Sequence, residues 1–100
     1  MSVEMPDELP NPILAFLSAI RSDPVIGATH IAVFLAIYYQ WVSEGMGKYI
    51  LVYSRDVMPV AKIFSRRTYT KVIGDLSRLG YISYEPSCYK RKGSRVSFIF

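Results

Sequence analysis

A chain of 100 residues is long enough for one domain with a modest core, and its single cysteine excludes an internal disulfide. Hydrophobic residues make up 51% of it. That is high for a soluble chain, yet the most apolar run, 31–37 continuing to Val42, is shorter than the ~20 residues of a bilayer span and is interrupted by Tyr38, Tyr39 and Gln40. The net charge of +4 is polarised: residues 62–100 carry nine Lys or Arg against Asp75 and Glu85, a net +7, whereas residues 1–61 carry three against six, a net −3, a balance that suits a surface meeting a polyanion.

Residues 1–10 read as a frayed acidic arm with two prolines, lacking the basic start of a signal peptide. Asn11-Pro12 then predicts a helix start, with Asn as N-cap and Pro at the first helical position. Ile13, Leu14, Phe16, Leu17 and Ile20 give this helix a broad apolar face, and Ser22-Asp23-Pro24 breaks it. A second helix, from about His30 to Glu44, is apolar nearly all round, so it is expected to be central and covered on more than one side. Gly45-Met46-Gly47 ends it, and residues 48–53 form a short strand candidate.

Ser54 is expected to cap a third helix running through Val57, Met58, Val60 and Ile63. Pro59 then requires that this helix be short, with Pro59 near its first turn, or kinked. Ser65 is the expected N-cap of a fourth helix reaching Leu79, with Gly80 as its stop. Residues 81–85 and 95–100 read as strands joined by a basic loop over 88–94. The class is therefore α+β, mainly α, with an extra N-terminal helix and a small antiparallel sheet. Residues 11–100 form its single domain.

The fourth helix divides its surface. Tyr69, Val72, Ile73, Leu76 and Leu79 share one face; Arg67, Lys71, Gly74 and Arg78 share the other. Gly74 costs roughly 1 kcal/mol in a helix interior, so its presence implies either a close ligand approach or close packing against another protein element. In the loop, Lys90, Arg91 and Lys92 repel one another and add nothing to the isolated fold, which points to an anionic partner.

Residues 54–96 carry a resemblance. Arg67-Thr68-Tyr69 opens the fourth helix, Leu79-Gly80-Tyr81-Ile82 closes it, and Tyr84-Glu85-Pro86-Ser87 is followed by Lys92-Gly93-Ser94-Arg95-Val96. With Asp23-Pro24 and Thr29-His30-Ile31 upstream, these segments resemble the winged helix-turn-helix superfamily. More narrowly, they are similar to small DNA-binding proteins of bacterial mobile elements and conjugative transposons. The resemblance implies sequence-specific binding of double-stranded DNA in regulation, excision or replication. The fourth helix would lie in the major groove, entering with Ser65, Arg66, Arg67 and Thr68. Arg66 or Arg67 would read guanine and Thr70 a thymine methyl or a phosphate. Lys71 and Arg78 would contact phosphates, and the wing, with Lys90, Arg91, Lys92 and Arg95, would lie on the flanking backbone.

Other chemistry finds little support in the sequence. His30 opens an apolar helix and reads as a cap or a partly buried core residue, and Cys88 has no neighbouring base. No phosphate loop, zinc-ligand spacing or catalytic constellation occurs. The chain is expected to be a non-enzyme without cofactor or metal, cytoplasmic, and dimeric through residues 13–20 and 30–42. The rival expectation is a protein-interaction module using those same apolar helices.

Overall fold

The structure, a computed structural model, describes residues 12–86 and 93–99. Its elements run α1 (Pro12–Ile20), α2 (Ala28–Ser43), β1 (Ile50–Val52), α3 (Ser54–Ala61), α4 (Arg66–Arg78), β2 (Ile82–Glu85) and β3 (Ser94–Phe98). This is the expected α+β class and order, with the strands in one antiparallel sheet of order β1-β3-β2. The expected acidic arm, the Asn11 cap and the expected loop cations Lys90, Arg91 and Lys92 lie outside the described residues.

Helix α2 is the hub. Val33, Phe34, Ala36 and Ile37 are buried on it, because α1, α3, α4 and the sheet each cover part of its circumference. Phe16 of α1 stacks on Phe34 at 3.8 Å between centroids and meets Tyr81 edge-on at 5.3 Å. Phe98 of β3 closes the other side against Phe34, Tyr38 and Trp41. Burying these rings, with one stacked pair and edge contacts around it, supplies much of the apolar driving force available to a domain of this size.

Several boundaries differ from the sequence reading. The first strand, expected over 48–53, is Ile50–Val52; the second, expected over 81–85, is Ile82–Glu85; and the second helix, expected from about His30 to Glu44, is Ala28–Ser43. Ser54 is the first residue of α3 rather than its cap; Tyr53 occupies the N-cap without a side-chain cap bond. Pro59 lies in the second turn of α3, not the first. It is exposed and removes only the amide that would have bonded the Arg55 carbonyl, and the helix ends two residues later. Ile63 is buried but lies beyond the helix. There Lys62 takes a left-handed conformation (φ 61°) and the Ile63 amide bonds the Met58 carbonyl at 2.9 Å, the reversal expected of a helix C-terminus. The last strand begins at Ser94 and ends at Phe98.

The strand register fixes which side chains share a face. Val96 pairs with Ile50 and Tyr84, whereas Arg95 pairs with Leu51 and Glu85. Val96 is buried towards the helices, so Arg95 projects from the opposite, outer face. Among the described residues, no helix is long and apolar enough to cross a membrane.

Candidate nucleic-acid interface

Helix α4 is held at both ends by its own sequence. Ser65 is extended (φ −106°, ψ 122°) and its Oγ accepts the Thr68 amide at 3.3 Å, which satisfies one of the open amides of the first turn. At the other end Gly80 has φ 85°, its amide bonds the Ser77 carbonyl at 3.1 Å, and the Tyr81 amide bonds the Leu76 carbonyl at 2.9 Å. A left-handed residue at that place is the reason for glycine.

The rotation of α4 is set by Tyr69, Val72, Ile73 and Leu76, all buried. Leu79, expected with them, is instead 36% exposed, because the helix has already ended and Leu79 belongs to the turn. The buried stripe leaves Arg67, Thr68, Thr70, Lys71, Gly74 and Arg78 on the solvent side. A Cβ built on Gly74 meets nothing within 4 Å. Close packing within the chain therefore does not explain Gly74, and the bare backbone faces open space.

One buried carboxylate organises part of this surface. Asp75 is 6% exposed and accepts bonds from Lys71 Nζ at 3.2 Å and Arg78 Nη2 at 3.0 Å. It also pairs with His30 Nε2 at 2.9 Å, 45 residues away in sequence. The other ring nitrogen, Nδ1, accepts the Gly27 amide at 3.0 Å and so caps α2. With Nδ1 accepting, the proton of the neutral ring sits on Nε2 and is donated to Asp75. Hydrogen bonds from His30 and then Lys71, with the charges of Lys71 and Arg78, hold the Asp75 carboxyl below its ordinary value of 3.8 against the opposing effect of burial. The cap role expected of His30 is present, joined to a buried partner that the sequence did not reveal.

The remaining expected contacts separate. Arg67 is exposed. Arg66 turns back, its Nη2 donating to Ser54 Oγ at 3.1 Å. It lines a cleft of about 280 Å³ between the starts of α3 and α4 and the sheet. Arg95 lies over the Tyr49 ring at 4.3 Å and 3.8 Å from Glu85 on the outer face of the sheet, so it does not join Arg66 at the cleft. Gly93 is needed where it stands: a Cβ there would fall 2.9 Å from the Tyr53 ring and 3.0 Å from the Val52 carbonyl oxygen.

Several residues of this surface escaped the sequence reading. Phe64, in the turn before α4, is 91% exposed. Ser54, Arg55, Tyr69 and Tyr84 border the cleft with Arg66. Lys71, Asp75 and Arg78 are spaced to meet on one helix, and that spacing was the available signal. Nothing local announced His30 as the fourth member. Among the described residues, no group of three or more His, Cys, Asp or Glu could hold a metal ion. Compared with protein-family models, curated proteins and solved structures, the chain matches none.

Proposed function

We propose that the chain is a winged-helix protein that binds double-stranded DNA, setting α4 in a major groove and the β2–β3 hairpin beside the flanking backbone. The observation that carries this reading is the solvent face of α4. Arg67, Lys71 and Arg78 stand on a helix fixed by a buried stripe and capped at both ends, around a Gly74 backbone open to close approach. The order strand, helix, helix, strand, strand after a central helix supports it. In this reading Arg67 reaches base edges from the helix N-terminus. Lys71 and Arg78, held by Asp75, neutralise phosphates. The role is that of a cytoplasmic regulator or accessory factor of a bacterial mobile element, acting as a homodimer with its two α4 helices roughly 34 Å apart.

Fluorescence anisotropy with a random labelled duplex across a salt series tests the proposal. A log–log slope near −4 to −7 is expected, at about −0.9 per phosphate contact. Replacing Lys71 or Arg78 by Gln should weaken binding to all sequences and flatten the slope, whereas Arg67→Gln should relax base preference. Absence of binding at low salt would remove the DNA reading.

A second reading has its own observation. Leu14 and Leu17 on α1 and Leu35, Tyr39 and Val42 on α2 are exposed, which suits a protein-interaction module or the homodimer contact. Light scattering at micromolar concentration separates a dimer from a monomer.

A further inference from the structure

The cleft between the starts of α3 and α4 and the sheet is built from donors. Arg66 reaches Ser54 Oγ across its mouth, and Arg55 stands beside it, 4.6 Å over the Tyr53 ring and 4.0 Å from Asp56. Tyr84 and Ser94 bond each other at 3.0 Å along its sheet wall. No carboxylate lines it among the described residues. Helix α3 points its N-terminus here: the Asp56 and Val57 amides bond the Tyr53 carbonyl, and no side chain of the N-cap residue satisfies the amides before them.

Tyr69 is the informative member. The residue is 6% exposed and lines the cleft; its hydroxyl makes no hydrogen bond among the described residues, and since no buried polar side-chain atom there lacks a partner, it opens on the solvent of the cleft. A phenol whose ring is packed in the core while its O–H opens on the cleft has that donor available to a group bound there.

We propose that this cleft is a phosphate-binding site, in which the Arg66 and Arg55 guanidiniums, the first amides of α3 and the Tyr69 hydroxyl all donate to phosphate oxygens. Guanidiniums and helix N-terminal amides suit that group because each brings N–H donors to several oxygens at once. The phosphate is either a diester of a nucleic-acid backbone or that of a free phosphorylated ligand. The first source rests on the DNA reading above; the second does not.

The test uses the full chain, its Tyr69→Phe and Arg66→Gln variants, and two probes: inorganic phosphate followed by amide chemical shifts, and a random DNA duplex followed by anisotropy. The expected result is a saturable phosphate response at Ser54, Arg55 and Tyr69. Tyr69→Phe should weaken it roughly tenfold, the loss expected for one hydrogen bond to a charged group, while the melting temperature holds. If the variants also weaken duplex binding and phosphate competes with the duplex, the source is the backbone. If duplex binding is absent, or unaffected by the variants while the phosphate response persists, the ligand is a free phosphate and the site stands apart from DNA binding. Loss of duplex affinity in Tyr69→Phe supports the site even where inorganic phosphate does not saturate. Absence of a saturable phosphate response, with duplex affinity either nil or unchanged in both variants, overturns the proposal. If Lys71→Gln then still weakens the duplex, the DNA reading survives without the site.

Discussion

Along α4, Lys71 and Arg78 both reach Asp75, at 3.2 and 3.0 Å, and Asp75 is tied to His30 beneath them. One turn earlier, Arg66 and Tyr69 face a cleft whose described lining offers donors and no carboxylate. The same helix thus carries two cations that share one carboxylate within the chain, and a donor group with no anion of its own. The contrast teaches that cationic side chains on one helix are not equivalent. Those around Asp75 contribute to the fold whether or not a partner is present. Those at the cleft gain their full electrostatic return only from something outside it.

The strongest way to break this comparison is Asp75→Ala. It strands the His30 N–H in a buried place and releases both cations, and should lower the melting temperature by on the order of 10–20 °C. Tyr69→Phe should leave it level. Equal losses in thermal melts of the two variants would show that the two groups do not differ in kind.

Acid titration sharpens the same point. The Asp75 carboxyl is held below 3.8 in the folded chain, so near and below that pH the unfolded chain takes up the proton first. Its contribution is present above the ordinary carboxylate value and lost as pH falls through the lower folded one. Denaturant midpoints measured from pH 5 downward should fall, and Asp75→Asn should flatten that fall.

Smaller changes probe the helix frame. Ser65→Ala should cost about 1 kcal/mol by opening the first turn of α4, read from a denaturant midpoint. Gly74→Ala should stabilise by about 0.5–1 kcal/mol, because the added methyl meets open space and the helix interior disfavours glycine. The same change should weaken duplex binding if a ligand approaches that backbone. Unchanged affinity would leave Gly74 without a binding role.

The least disruptive test is alkaline. Tyr69, chiefly through burial, and Tyr81, chiefly through its bond to Asp23, are pushed up to about 12. Their contribution is complete below pH 10 and lost between 10 and 12. Phenolate absorbance should show a late component of two tyrosines near 12; its absence would contradict both environments.

Much of this molecule is written in short-range spacing. The buried stripe of α4, the Ser65 cap, the Gly80 stop and the order of elements follow from side chains three or four residues apart and from turn residues beside them. Local backbone geometry obliges those positions to meet, so the sequence by itself determined the helix and its two faces. It did not determine which partner each polar group finds. His30 meets Asp75 across 45 residues, and Arg66 meets Ser54 across 12. Arg95 points away from the cleft because of strand register, and Gly93 is fixed by the Tyr53 ring from another strand's end. Helical and strand periods say which way a side chain faces but not what stands opposite. Only the packing of α2, α3 and the sheet around α4 decided which cations meet a carboxylate of the chain and which do not.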